Sequence, residues 1–286
     1  MNAAIRGRLI CVAMLAISSG ACASVPIPTV IDPRPLSEQE QLERPLSEQE
    51  QLERSMARAR EAVPASPDVA QPSSMDGTRV WREALLAEGL RVLVGTESRS
   101  LWLMRDTVVL FRAPVAVGMS EGFTYEGRTY DFTTPTGRRR VQAKATAPLW
   151  VPPDWHYFEI ALERDLEIVR LKKGQRVSLG DDTYLEVRGE DVGRINQFGN
   201  FWPFTPGSEI IFDGKVYIPP FGTRQRQIPE ILGTHKLELG DGYLIHGTNQ
   251  ATSIGDAVSH GCVRMYNADV EHLYAQVPVG TPVFIF

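Results

Sequence analysis

Ser259-His260-Gly261-Cys262-Val263-Arg264, preceded by Ile245-His246-Gly247-Thr248, is the stretch that decides how this chain is read. A thiol needs a nearby base to act as a nucleophile at neutral pH. Two histidines lie close to Cys262 in sequence, and the nearer, His260, is in the same loop motif. The sixteen residues from His246 to Cys262 suit a strand end, an ordered loop and a return to the next element. That connection brings imidazole and sulfur to one place without a shared helix.

Working outward, short apolar runs surround this stretch. Arg91-Val92-Leu93-Val94, Ser100 to Met104, Val108 to Phe111 and Ala113 to Gly118 read as strands before it. Glu209 to Phe212, Lys215 to Ile218, Tyr243 to His246 and Pro282 to Phe286 complete the set. Many short strands with Gly and Pro at the turns predict a mainly β sandwich or barrel with a few short helices. One helix is expected over 76–88, with Asp76 as N-cap and Val80, Trp81, Ala84 and Leu85 on one face. A second is expected from Asn267 to Gln276, with Val270, Leu273 and Tyr274 inward.

The N-terminus has a different character. Arg6 and Arg8 precede the apolar run Leu9 to Ile17, and small residues follow to Ala23. Residues 1–23 read as a secretory signal, with an apolar run too short to span a bilayer. Two processing patterns overlap there. Ala21-Cys22-Ala23 is a cleavage pattern for a soluble exported protein, while Gly20-Ala21-Cys22 resembles a lipoprotein box with Cys22 as lipid anchor. Either way the protein is expected outside the cytoplasm, in the periplasm or cell envelope. Residues 24–77 read as a flexible linker: Arg34 to Glu43 repeats as Arg44 to Glu53, and Ala62 to Ser74 is rich in Pro, Ser and Ala. A domain over 78–286 remains. Of three cysteines, Cys11 and Cys22 fall in the signal region, which leaves Cys262 as one unpaired thiol in an exported chain. The net charge of −5 implies no nucleic-acid partner. Two histidines and one cysteine at these spacings fit no zinc pattern, so neither metal nor cofactor is expected.

Residues 91–286 resemble the bacterial L,D-transpeptidase catalytic domain of the YkuD type. The resemblance rests on His246-Gly247-Thr248, Ser259 to Arg264, the following Met265 to Tyr274, Val279 to Val283, Thr134-Pro135-Thr136-Gly137 and the Val-Ala-Val-Gly ending at Gly118. Trp150 and Trp155, bracketing Pro152-Pro153, are similar to a Trp-x-x-Pro segment near that family's cleft. Two departures stand out. Arg138-Arg139-Arg140 replaces a more usual aromatic, and residues 158–225 are longer than a minimal member needs.

The resemblance implies an L,D-transpeptidase-type β-sandwich acting on peptidoglycan stem peptides. Cys262 would attack the third-residue carbonyl of a tetrapeptide and expel the terminal D-alanine, giving a thioester that an acceptor amine resolves. His246 would be the base, its other nitrogen oriented by the Gly247 carbonyl, and backbone N–H groups near Gly261 and Cys262 would form the oxyanion hole. Arg264, His260 and Ser259 would bind substrate, although Ser259 can equally cap the loop and Arg264 can pair with Asp269. A pH dependence in the histidine range is expected. His156, His235 and His272 read as structural or exposed, and Trp102, Trp150, Trp155 and Trp202 as core or pocket wall. Two other activities remain open: an L,D-carboxypeptidase or endopeptidase that hydrolyses the same bond, and a non-catalytic wall-binding lipoprotein.

Overall fold

Alternation along the apolar runs sets the architecture. In Leu90–Gly95, Val92 and Val94 point to one side while Leu93 points to the other. In Ser100–Arg105, Leu101 and Leu103 oppose Trp102 and Met104. In Pro282–Ile285 and the residue after it, Val283 and Ile285 oppose Phe284 and Phe286. A strand presents successive side chains to opposite faces, so these strands need cover on both. The computed structural model describes residues 69–180 and 182–286. The expected signal, Cys11, Cys22 and the tandem decapeptide lie outside the described residues.

Five strands form the first sheet, in the order Val108–Pro114, Ser100–Arg105, Leu90–Gly95, Pro282–Ile285, Gly137–Arg140. A four-stranded sheet packs on one face, in the order Val263–Arg264, Tyr243–His246, His235–Gly240, Ala143–Thr146. Val92, Val94, Leu101, Leu103, Leu237, Ile245, Val263, Val283 and Ile285 fill the space between them. Val270, Leu273 and Val277 add the inner side of a helix over Asn267–Gln276. This is the expected β-sandwich with few helices.

The opposite face of the first sheet is covered by helix α1, Met75–Leu86. Val80 and Ala84 are buried against Leu93, Trp102, Phe284 and Phe286, with Trp81 and Leu85 packed at the margin. The cap differs from expectation: Ser74, not Asp76, is the N-cap, and its hydroxyl accepts from the Gly77 N–H. Val69 is buried in the same cluster, so packed structure begins ahead of the expected boundary at 78. Fully buried Arg91 holds the far end of α1 to the sheet. Its guanidinium donates to the carbonyls of Ala84 (2.6 Å), Gly89 (3.0 Å) and Asp106 (2.7 Å), the first in the last turn of α1.

Residues 158–225 fold as an elaboration between the Ala143–Thr146 and His235–Gly240 strands. Helix α2, Asp154–Arg164, leads into it and buries Tyr157, Phe158, Ile160 and Ala161. Strand Glu167–Arg170 follows and pairs in parallel with Lys215–Ile218. Between them lies an antiparallel sheet of Arg176–Gly180, Thr183–Arg188, Asp191–Asn196 and Phe201–Pro203. Its core of Leu171, Leu185, Val187, Val192, Ile210 and Tyr217 is separate from that of the sandwich. Buried Arg226 fastens the start of α2 through the Pro152 carbonyl (2.9 Å), the Pro219 carbonyl (2.9 Å) and Asp154 (2.5 Å). Trp202 departs from its expected place in a core or pocket wall: it sits on the outer Phe201–Pro203 strand, 52% exposed. The late helix, α3, runs over Asn267–Gln276 as anticipated.

Candidate active site

Strand pairing brings the two motifs together. Tyr243–His246 runs parallel to Val263–Arg264, with Ile245 opposite Val263 and His246 opposite Arg264. Ile245 and Val263 point into the core. Alternation therefore turns Cys262, Arg264 and His246 to the other face, with Cys262 one step before Val263. Cys262 is half-buried as a residue and is in no disulfide, and its Sγ lies 3.8 Å from the Gly242 carbonyl.

His246 is buried, and its Nδ1–H donates to the Gly247 carbonyl at 2.5 Å. This bond leaves the lone pair on Nε2. Burial pushes the imidazole down to about 4; the Gly247 bond opposes that shift, and the charges of Arg264 and Lys236 add to it. Burial pushes the Cys262 thiol above its usual range, against the Leu244 N–H and the Arg264 charge, which favour the thiolate. The resting pair at neutral pH is therefore thiol plus neutral imidazole. Loss of the water shell also disfavours charge on Arg264, whose Nη1 donates to Gln250 Oε1 at 3.3 Å. A base so shifted would titrate near 4 and not in the ordinary histidine range.

The loop holding Cys262 is braced from several sides. Gly261 has φ +102°, and a Cβ there would meet the Tyr243 ring at 2.9 Å, so glycine is required. Thr134 Oγ1 donates to the Gly261 carbonyl (3.1 Å) and accepts from the Gly118 N–H (2.7 Å). The Thr-Pro-Thr-Gly element and the Val-Ala-Val-Gly ending thus meet at the nucleophile loop. Ser259 is buried; its hydroxyl donates to the Cys262 carbonyl and accepts from the Gly261 N–H at 3.2 Å. Ser259 thus braces the loop, the capping role open to it from the sequence, and the Gly261 N–H donates to its hydroxyl.

The family profile of the L,D-transpeptidase catalytic domain, YkuD, matches residues 90–285. The chain belongs to that family. Among relatives, "Probable L,D-transpeptidase ErfK/SrfK" of Salmonella typhimurium is 37% identical over 87 residues, covering 26% of this chain and 28% of the relative. "Probable L,D-transpeptidase YbiS" of Escherichia coli is 52% identical over 52 residues, covering 18% of this chain and 17% of the relative. The matched stretches thus span under a third of those relatives' own lengths. A crystal structure of the Xylanimonas cellulosilytica L,D-transpeptidase aligns at 16% identity with a TM-score of 0.37, covering 73% of this chain and 69% of that one.

Against the family pattern, two residues not picked out from the sequence position the site of this L,D-transpeptidase domain. The first is Asn267, in the opening turn of α3. Its Oδ1 accepts from the Thr234 and Thr248 N–H groups, both at 3.2 Å. It ties the turn after His246 to the start of the neighbouring strand, and a Cβ on Gly247 would strike it at 2.2 Å. An amide residue opening a helix beside the Cys motif was the available signal. The second is Glu159 on α2, whose Oε1 lies 2.9 Å from His260 Nε2. His260 is stacked on Trp155 at 4.5 Å and meets the Phe132 ring edge-on at 4.5 Å. No local signal marks that pairing, because the partners are 101 residues apart.

Other residues fall as follows. His156 is wedged among Trp150, Trp155 and Tyr157, and burial lowers its affinity for a proton. His272 touches Phe111 and Gln276, and His235 packs on Tyr274. Arg138-Arg139-Arg140 forms an edge strand paired with Pro282–Ile285. Arg139 bonds Asp241 at 3.1 Å and lies 4.6 Å over the Tyr243 ring, behind the nucleophile loop.

Proposed function

We propose that this chain is an exported peptidoglycan L,D-transpeptidase in which Cys262 carries the acyl group of a stem tetrapeptide as a thioester. The observation that carries the reading is the strand register that sets Cys262, Arg264 and His246 on one face, with the imidazole fixed through the Gly247 carbonyl.

The chemistry follows from two neutral partners. As Cys262 Sγ attacks the carbonyl of the third residue, its proton passes to His246 Nε2, and no stable ion pair is formed beforehand. The oxyanion is assigned to the Cys262 N–H, since that of Gly261 is engaged by Ser259. His246 then returns the proton to the departing amine of D-alanine. Arg264 stabilises the developing sulfur anion and offers a fixed charge to a donor carboxylate. Peptidoglycan lies outside the cytoplasm, which agrees with the signal read at 1–23 and with Cys22 as an anchor.

Incubation with purified muropeptides tests the proposal. A tripeptide adduct on Cys262 and cross-linked dimers are expected, and Cys262→Ser should give neither, because a hydroxyl holds its proton far more tightly. Unchanged turnover in that variant would overturn the mechanism. Tripeptides without dimers would move the assignment to an L,D-carboxypeptidase. The mass of the mature protein, with or without lipid on Cys22, tests the anchor.

A further inference from the structure

The elaboration places one carboxylate beside the nucleophile loop. Glu159, on α2, meets His260 Nε2 at 2.9 Å, and His260 is two residues from Cys262. A carboxylate only accepts, so Nε2 carries the hydrogen and Nδ1 is the ring nitrogen left for another partner. The ring has little freedom between Trp155, stacked at 4.5 Å, and Phe132, edge-on at 4.5 Å. Both side chains are about a quarter exposed, so the pair borders solvent. The charges of Glu159, Glu209 and Arg226 also act on His156.

The charges flanking Cys262 have opposite sign. Arg264 supplies a cation on the His246 side, and Glu159, hydrogen-bonded to His260, supplies a carboxylate on the side of α2. The two substrates of the proposed reaction differ in the same sense: the donor brings carboxylates, and the acceptor brings a primary amine that is an ammonium at neutral pH. Complementary charge steers each to its own side.

We propose that the Glu159–His260 pair is the acceptor subsite, and that it takes the ammonium group of the amine that resolves the thioester. This rests on the function proposed above and adds a place for the second substrate. His260 Nδ1 takes one proton from the ammonium. The freed nitrogen lone pair forms the C–N bond to the thioester carbon, and the C–S bond breaks. The sulfur regains a proton from the attacking nitrogen by way of His246, and the proton on His260 passes to solvent. Glu159 acts through His260 and is a positioning residue; His260 is the group that touches the amine.

The test is the Glu159→Gln variant, which keeps shape and a hydrogen-bonding end but removes the charge. Its acyl-enzyme on Cys262 is partitioned among a charged acceptor amine, hydroxylamine (a nucleophile neutral at pH 7) and water. A charge-assisted hydrogen bond is strong enough that the yield with the charged amine, relative to hydroxylamine, should fall about ten-fold. Equal losses with both acceptors, or no loss, would overturn the assignment. In the wild-type protein, added salt should raise KM for the charged amine more than for hydroxylamine; equal responses would count the same way, whether or not the variant folds. Failure of Cys262 to acylate in the wild type would instead remove the proposed function, and the subsite with it.

Discussion

The two histidines near Cys262 are held in different ways. His246 belongs to the sandwich: it is buried, its Nδ1 is fixed by a backbone carbonyl one residue on, and its affinity for a proton is strongly reduced. His260 reaches into the elaboration: it is half-buried between aromatic rings and held by a side-chain carboxylate from α2. A backbone carbonyl remains whatever the neighbouring residues are, so the orientation of His246 is built into the strand pairing. A carboxylate on an appended helix can be altered without touching the strands. On the function proposed here, the sandwich would hold the base for both half-reactions and the elaboration the group that meets the second substrate.

The largest effect should come from the sandwich side. His246→Gln is expected to lower kcat/KM for donor acylation by about 10²- to 10⁴-fold, the usual contribution of a positioned base, with the fold retained. A loss as small as that expected for Glu159→Gln would erase the distinction between the two histidines.

Next is acid stability. Folding lowers the His246 affinity for a proton, so between the ordinary histidine value and about 4 the unfolded chain binds the extra proton and the folded chain does not. The stability associated with this group is complete above that window and is lost as pH falls through it, on the order of 3 kcal/mol. Urea unfolding at several pH values should show the loss in wild type and a correspondingly flatter response in His246→Gln. The same acid response in both proteins would contradict the burial account.

Asn267→Ala sharpens the comparison from within the sandwich. It leaves the Thr234 and Thr248 N–H groups without their acceptor, at a cost of about 1–3 kcal/mol, and loosens the turn after His246. Both the unfolding midpoint and acylation should fall; an unchanged midpoint would mean the clamp does not bear on stability. Smallest of all is Trp202→Ala on the outer strand, expected to stay within about 0.5 kcal/mol of wild type by the same measurement. A larger change would give that exposed ring a partner not yet recognised.

What the sequence revealed depended on how local each signal was. The Val, Leu and Ile runs marked their strands, and their near-continuous apolar character is explained by sheet faces that are both covered. The α3 bounds were readable from spacing alone. Cys262, His246 and the Gly247 carbonyl stand close enough in sequence for their motif to be recognised. Glu159 was not visible, because a lone acid on a helix has no feature that names a histidine far along the chain. Arg91 looked like the polar start of a strand, yet it is buried and bonded to three carbonyls. The lowered proton affinity of His246 was not legible for a related reason: its desolvation depends on packing from distant segments.

The rate of Cys262 acylation by a tetrapeptide donor, followed by intact mass from pH 3.5 to about 8, tests the base assignment most directly. A neutral, buried His246 predicts a rise centred near 4 and a plateau through neutrality. A rise centred on the ordinary histidine value would contradict it.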